Sequence, residues 1–445
     1  MSWRTHRLSR RGVIASGAGG IAGLLAACAG PAQAPPTGKP AAGGREVLIK
    51  VSFGTDRNNV TRKMLDMLTE KKPNLRSELV ERPSGAQQVY DYYATTFSSG
   101  DSSLDVVSID VIWPTAFASA NWVVPLNDVF PPDEQKKYLD SMIWAMTVQG
   151  KIYGIPWYND IGNLYYRKDL LNQAGAQPPK TWQDMVEIAK KLHKPPDLYG
   201  VAYTMRQDEQ LMCNLLEFLW SNGGDVLDES GRVVVNSAQN ADALQFMVDL
   251  INKENVLQPG SLNMLLDEAR QLFTEGKAVF HRNWNYVWAL AQGPESKVKD
   301  LIVQTRVPYF ASHGKSYVAL GGWNYAVSSL SKNRAEAIEV AQWLGSYEMQ
   351  KYRHINGEQP PAIKAIYEDQ EATQARPQGP VVYEVAKTSR SRPKHARYRE
   401  FSEIVQTEAV NAITGKKPVK EALAEMERRL KGLGSPYDPG IGRKP

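Results

Sequence analysis

Short apolar runs and helical stripes alternate along this chain. Residues 46–53, EVLIKVSF, predict a buried strand, and residues 60–73, VTRKMLDMLTEKKP, predict a helix that ends at Pro73. Residues 104–113, LDVVSIDVIW, predict a second strand that stops near Asp110. Strands that alternate with amphipathic helices predict an α/β fold with mostly parallel sheets, and 445 residues are enough for two such units.

Two later segments predict helices with defined ends. In PPKTWQDMVEIAKKL, residues 178–192, Thr181 and Asp184 have the spacing of a capping box. Residues 418–433, PVKEALAEMERRLKGL, carry apolar side chains at helical spacing and predict a C-terminal helix. Cys213 lies in the apolar stretch QLMCNLLEFLW, so we expect it to be a buried side chain.

The first 28 residues predict an export signal rather than part of the fold. Four arginines precede an apolar stretch, residues 13–27, which is too short to span a bilayer comfortably. The ending LAAC resembles a bacterial lipobox, which implies that Cys28 is lipidated and anchors the protein to the cell membrane. SRRGVI, residues 9–14, resembles a twin-arginine signal without its usual aromatic, so ordinary Sec export stays an alternative. Residues 29–45 predict a flexible tether.

Charge and motifs exclude several classes of function. Four of the 53 basic residues precede Cys28, which leaves 49 basic against 48 acidic residues and no basic footprint for nucleic acid. Neither H-E-x-x-H nor CxxC occurs, so no zinc ligands stand out. HGKS, residues 313–316, resembles the end of a phosphate loop, but Tyr309 replaces the first glycine of that motif. We therefore expect no metal, cofactor or ATPase site.

Aromatic residues and single carboxylates recur where strands are expected to end. Tyr158 and Asp160 follow IYGIPW, Asp110 ends VVSID, and Trp284 follows AVFHRN. Ligands of open α/β sheets bind beyond the carboxyl ends of strands. A sugar ring lays an apolar face on an aromatic ring and donates its hydroxyls to carboxylates, so this mixture predicts a sugar. Core packing is the alternative for any single tryptophan.

The segment of residues 150–192 and five further motifs resemble one family. These motifs are SIDVIWPTAFASANWVVPL, FMVDLINK, AVFHRNWNYVWAL, LGGWNYAVS and RPKHARYREFSEIVQ. In this order they resemble family 1 extracellular solute-binding proteins, the substrate-capturing lipoproteins of sugar ABC importers, and within it the trehalose/maltose-binding branch. The resemblance covers the chain from about Glu46 to its last helix.

The resemblance implies a two-lobed α/β fold with a ligand cleft between the lobes. The lobes of this family interleave along the chain, so we expect residues 46–155 plus 309–358 in the N-terminal lobe. Residues 156–308 plus 359–445 would form the C-terminal lobe. The hinge crossovers are expected near residues 154–157, 303–309 and 357–362.

The family also implies roles for individual residues. Asp110 and Asp160 would accept sugar hydroxyls from opposite lobes, with Tyr158, Trp284 and Trp323 as aromatic walls. Gly321 and Gly322 would let backbone amides approach the sugar, and Arg392 would donate to its oxygens, with Arg390 as a competitor. The chain departs from the pattern of this branch in two loops, which leave as weaker candidates Asp56, Asn59, Gln207 and Glu209.

Other roles stay open for the main charged candidates. Asp110 fits a helix N-cap before WPTAFASA, Asp160 fits a cap or a pair with Arg167, and Arg392 fits a surface arginine.

The expected function is a non-enzymatic one. The protein would be a monomer outside the cytoplasm that captures a di- or oligosaccharide and delivers it to ABC permease subunits with a separate ATPase. Two alternatives remain: a membrane-anchored glycoside hydrolase, which needs two carboxylates about 5 to 10 Å apart, and a lipoprotein that binds another kind of solute.

Overall fold

The computed structural model describes residues 45–83, 85–357 and 359–437. The predicted export signal, Cys28 and residues 29–44 of the predicted tether lie outside these residues.

Strands and helices alternate along the described residues, as predicted. The strands are β1 (Val47–Phe53), β2 (Leu75–Glu81), β3 (Val106–Asp110), β4 (Thr147–Val148), β5 (Lys151–Ile152), β6 (Ile155–Ile161), β7 (Asn163–Arg167), β8 (Tyr199–Ala202), β9 (Ala278–Asn283), β10 (Ile302–Thr305), β11 (Val318–Val327) and β12 (Ser389–Arg390). The helices are α1 (Val60–Lys71), α2 (Ala86–Ser98), α3 (Pro114–Ser119), α4 (Pro132–Gln135), α5 (Asp140–Met146), α6 (Lys168–Gln173), α7 (Trp182–Leu192), α8 (Glu209–Ser221), α9 (Ala238–Asn252), α10 (Leu266–Thr274), α11 (Tyr286–Ala291), α12 (Arg334–Gly345), α13 (Tyr347–Asn356), α14 (Gln370–Ala375), α15 (Gly379–Ala386), α16 (Tyr398–Ile413) and α17 (Val419–Gly432).

The first sheet is built around β11. This strand pairs with β3 and with β6 in antiparallel register, and its first residues pair with β12 in parallel register. On the far side of β3, β1 pairs with β3 and with β2, both in parallel register. The carboxyl ends of β1, β2 and β3 therefore lie at one edge of this sheet.

The second sheet has the strand order β10-β7-β9-β8. Only β8 and β9 pair in parallel register; β7 runs antiparallel to both β10 and β9. The prediction of mostly parallel sheets is therefore wrong, because both sheets are mixed. Hydrophobic periodicity reports which residues are buried, whereas strand direction depends on how the chain leaves one sheet and enters the other.

The chain first passes between the two sheets at Gly162, which lies between β6 and β7. A Cβ at this position would overlap atoms of Glu217 and Arg282. These two side chains form a buried ion pair, in which Arg282 Nε donates to Glu217 Oε2 at 2.8 Å. Glu217 Oε1 also accepts from the backbone N–H of Ala319 in β11 at 2.9 Å. One buried carboxylate thus ties α8, β9 and the start of β11 together.

Several local predictions are confirmed. Thr181 and Asp184 form the capping box of α7, with both reciprocal hydrogen bonds present. Cys213 is buried in α8, and α17 buries the apolar stripe that was expected of it. These elements were predictable because their apolar positions repeat at helical spacing and because the two side chains of the capping box, Thr181 and Asp184, bond within the first turn of α7.

Candidate functional site

One row of side chains crosses three neighbouring strands of the first sheet. Trp323 in β11 lies opposite Asp110 of β3 on one side and opposite Tyr158 of β6 on the other. Residues that oppose each other in antiparallel strands project from the same face, so these three side chains are neighbours. Trp323 is the only partly exposed residue of β11, and Tyr158 and Asp160 are the only ones of β6. The partly exposed side chains of two otherwise buried strands are thus neighbours on one face of the sheet.

Asp160 lies one pleat beyond Tyr158 and opposite Gly321. Its Oδ1 accepts a hydrogen bond from the backbone N–H of Asn285, at the start of α11, at 3.0 Å. Burial raises the pKa of Asp160 to about 7, against the opposing effects of its backbone hydrogen bonds and the charge of Arg282. The alternative pair with Arg167 is wrong, because Arg167 bonds Asp169 instead.

Trp284 follows β9, as predicted, and its ring reaches Gly321 of the first sheet from the second sheet. Its indole Nε1 donates to Gln210 Oε1 at 2.8 Å, and the Arg282 guanidinium lies 4.5 Å from the ring centroid. A Cβ at Gly321 would lie only 3.0 Å from Trp284 Cζ3. Gly321 therefore leaves the space that Trp284 fills.

Gly322 has a different structural requirement. Its φ of 112° lies in the region that favours glycine, and a Cβ would overlap the carbonyl oxygen of Tyr158. The structure thus explains Gly321 by the Trp284 ring and Gly322 by the close approach of β6, while their predicted contact with a sugar stays a prediction.

Arg392 joins two carboxylates from different parts of the fold. Its Nη2 donates to Asp110 Oδ1 at 3.2 Å, and its Nη1 donates to Glu209 Oε1 at 2.7 Å, at the start of α8. The Glu209 carboxylate also accepts from Tyr398 at 2.5 Å and from Ser402 at 2.7 Å. Arg392 is only 4% exposed, so the alternative that it is a surface arginine is wrong.

Asp110 is held in place by this arginine. Burial raises the pKa of Asp110, and the positive charge of Arg392 opposes that rise. Its Oδ1 accepts from the backbone N–H of Ile112 at 3.2 Å, but α3 begins four residues later, without a side-chain cap. The N-cap alternative for Asp110 is therefore wrong.

The weaker candidates and Arg390 make their contacts elsewhere. Asp56 accepts hydrogen bonds from the N–H groups of the first turn of α1, and Asn59 has a left-handed backbone before that helix. Gln207 donates to Thr407 at 3.0 Å on the surface. Arg390 pairs with Asp225 at 2.7 Å. Of the weaker candidates, the structure thus brings only Glu209 into contact with the main cluster.

Arg82 is a member of the cluster that the sequence interpretation missed. Its guanidinium lies 3.8 Å from the ring centroid of Trp323, and its Nε donates to Ser108 of β3 at 2.8 Å. Residues 75–81 were not predicted as a strand, so nothing in the sequence interpretation placed Arg82 at this edge. In the structure Arg82 directly follows β2, which pairs with β1 in parallel register.

A large cavity of about 1360 Å³ has a different lining from this cluster, although Ser391 and Pro393, on either side of Arg392, contribute to it. None of the main candidates lines it, and its walls include Trp144, Trp220, Asp225, Tyr317, Arg390 and Lys394. Trp144 is 49% exposed there, with the Lys394 ammonium 3.7 Å from its ring centroid. The structure therefore offers two places with aromatic walls, and an experiment must distinguish them.

Two further searches cover only the part of the chain that the structure describes. Among those residues, no group of three or more histidine, cysteine, aspartate or glutamate side chains is arranged to hold a metal ion. No helix of that part combines the length and the apolar character needed to cross a membrane.

Comparisons with known proteins agree with this architecture. Residues 62–351 match the family model of bacterial extracellular solute-binding proteins. A probable ABC transporter-binding protein of Deinococcus radiodurans is 30% identical over 378 residues, which cover 82% of this chain and 89% of that protein. The structure of maltose-bound MalE3 of T. maritima is 35% identical, with a TM-score of 0.79 over 87% of this chain and 99% of that chain. A mannitol-binding protein of Pseudomonas aeruginosa is 24% identical over 258 residues, 57% of this chain and 58% of that protein.

The matched proteins are binding proteins rather than enzymes. Because the family model spans well over half of the chain and the D. radiodurans relative spans most of both proteins, this chain belongs to the bacterial extracellular solute-binding protein family, and it has the two-lobed α/β fold of its structural neighbours.

Proposed function

We propose that this protein is the substrate-binding protein of an ABC importer and that it captures a neutral di- or oligosaccharide of the trehalose or maltose type. The row of Tyr158, Trp323 and Asp110 carries the proposal. It sets two partly exposed aromatic side chains beside a carboxylate, which is the combination that a sugar ring requires. The similarity to a maltose-bound protein at 35% identity supports the same ligand class.

The two acids and the tryptophans have separate roles in this proposal. Asp110 and Asp160 accept hydroxyl hydrogen bonds, each worth about 1.5–3 kcal/mol when the acceptor is charged. Trp284 and Trp323 offer ring surface to the sugar and exclude water from these bonds. Arg392 donates to sugar oxygens, and Gly321 and Gly322 present backbone amides to the ligand. A carboxylate among aromatic side chains is thus explained by one ligand with two kinds of surface.

Closure of two lobes around the sugar would couple capture to delivery. We propose residues 46–155 plus 309–358 as one lobe and residues 156–308 plus 359–445 as the other. The pairing of β6 with β11 up to Ile161 favours one change to these bounds, in which residues 156–161 join the first lobe and the first crossover lies at Gly162 rather than at residues 154–157. A ligand that contacts both lobes only when they are closed would shift the population towards the closed form.

Delivery requires partners outside this chain. We propose that the exported protein is lipidated at Cys28, stays at the membrane face and hands its sugar to permease subunits, with ATP hydrolysed by a separate subunit. Radiolabelled palmitate should be incorporated into the wild type and not into Cys28→Ser. Deletion of the permease should stop uptake of the sugar while binding by the isolated protein persists.

The test is a tryptophan fluorescence titration of residues 45–445 with trehalose, maltose, sucrose, glucose and an amino-acid mixture. A saturable change with one disaccharide supports the proposal and identifies the ligand. A response only to amino acids would contradict the sugar assignment and favour another solute. Chromatography of the same mixtures tests the hydrolase alternative, because a binding protein leaves the disaccharide intact.

A further inference from the structure

The positively charged guanidinium of Arg82 lies at the predicted sugar site, and none of the described residues forms an ion pair with it. The side chain follows β2 and is partly exposed. Its Nε donates to Ser108 Oγ at 2.8 Å, its Nη1 donates to the carbonyl oxygen of Pro83 at 3.2 Å, and its guanidinium lies over the Trp323 ring. Among the described residues, no carboxylate lies within ion-pair distance of this guanidinium and no acceptor is seen for its Nη2.

The guanidinium is fixed rather than free to point into solvent. Two hydrogen bonds hold its Nε and Nη1, and the indole holds one face at 3.8 Å from the ring centroid. Trp113 meets Trp323 edge-on, with the centroids 5.4 Å apart and the rings at 89°. The surface of Trp323 is therefore already shared between Arg82 and Trp113. A ligand at this indole must also meet the edge of the guanidinium.

The neighbours of Arg82 indicate which ligand group it can bind. Trp323 lies in register between Asp110 and Tyr158, so Arg82 stands next to an acceptor and a phenol. A sugar hydroxyl both donates and accepts hydrogen bonds. One hydroxyl can donate to the Asp110 carboxylate while its oxygen accepts from an Arg82 N–H. The nearby Arg392 is only 4% exposed and has both Nη atoms engaged with carboxylates, with its buried Nε left without a partner among the described residues. Arg82 is partly exposed, and its Nη2 is free to reach a ligand hydroxyl.

We propose that Arg82 is a specificity-determining residue that contacts the bound sugar, and that its Nη2 donates to a ligand hydroxyl which also donates to Asp110. This inference rests on the proposed function. In this arrangement one ligand hydroxyl donates to Asp110 and accepts from Arg82, so a deoxy sugar that lacks this hydroxyl should bind weakly.

Calorimetric titration of the full exported chain tests the proposal, with Cys28→Ser to prevent lipidation. The disaccharide that binds the wild type best is compared with its monodeoxy analogues. Arg82→Gln removes the charge while keeping an N–H donor, and Arg82→Lys keeps the charge without the planar fork. Arg76→Gln is the matched control, since Arg76 lies in β2, the strand that Arg82 follows, is 61% exposed and pairs with Glu46.

We expect Arg82→Gln to weaken binding about tenfold or more, the ratio for loss of one charge-assisted hydrogen bond, and Arg76→Gln to leave it unchanged. One deoxy analogue should bind the wild type weakly and lose no further affinity in Arg82→Gln. Equal loss with every analogue would mean that Arg82 only supports Trp323, and wild-type affinity in Arg82→Gln would overturn the contact altogether. If the wild type binds no sugar, the proposed function fails first, which separates the two failures.

Discussion

The crossover at Gly162 predicts a large loss of stability from one added methyl group. Gly162→Ala would bring a Cβ into the space of the Glu217 carboxylate and the Arg282 guanidinium. The side chains of this pair are 0% and 1% exposed, so neither charge can turn to solvent. Disruption of a buried, hydrogen-bonded ion pair costs about 3–5 kcal/mol, a large part of a typical stability of about 5–15 kcal/mol.

Urea denaturation followed by circular dichroism measures this loss. Gly432→Ala is the matched control, because Gly432 lies in α17 and a Cβ there meets no atom within 4 Å. The control should be stabilised by about 0.5–1 kcal/mol, since alanine favours a helix. If Gly162→Ala unfolds at the same urea concentration as Gly432→Ala, the ion pair does not constrain this crossover and the reasoning is refuted.

Three further predictions concern the cluster. Gly321→Ala should displace the Trp284 indole, because overpacking costs about 1–3 kcal/mol, and the protein should stay folded. Sugar binding should weaken about tenfold, which titration calorimetry with maltose measures, and circular dichroism checks the fold. The raised pKa of Asp160, about 7 in the folded chain against about 3.9 in an unfolded one, means that the folded chain binds more protons between these values. Its stability should therefore fall as pH rises from about 4 to about 7, and urea titrations of Asp160→Asn should lack this component of the slope. Arg392→Lys should lower sugar affinity about tenfold or more, because an ammonium cannot reproduce the fork whose two Nη atoms bind Asp110 and Glu209. Unchanged affinity, measured by calorimetry, would exclude the contact with Asp110 from sugar binding.

Local order was predictable from the sequence wherever the responsible interactions are local. The capping box of Thr181 and Asp184 and the stripe of α17 depend on residues within one or two turns. The position of Asp110 at the end of β3 was predictable for the same reason, because an apolar run ends there.

Features that depend on pairing between distant segments were not predictable. Arg390 and Arg392 are two residues apart in the same basic run, yet only Arg392 is buried against Asp110. Arg82 reaches Trp323 although β1 and β3 lie between β2 and β11 in the sheet. This contact depends on the order of the strands, which hydrophobic periodicity does not reveal. Gly321 was expected to serve the ligand, and the missing side chain also makes room for an indole from another sheet.

The most direct test of the central claim compares two tryptophans that border different openings. Titration calorimetry of the wild type, Trp323→Ala and Trp144→Ala with maltose and trehalose separates the cluster from the cavity of about 1360 Å³. Saturable binding of one disaccharide should persist in Trp144→Ala and weaken about 100-fold or more in Trp323→Ala, since stacking and the neighbouring carboxylate bond are lost together. The opposite result, with binding lost in Trp144→Ala and retained in Trp323→Ala, would move the sugar to the cavity and contradict the site proposed for this protein.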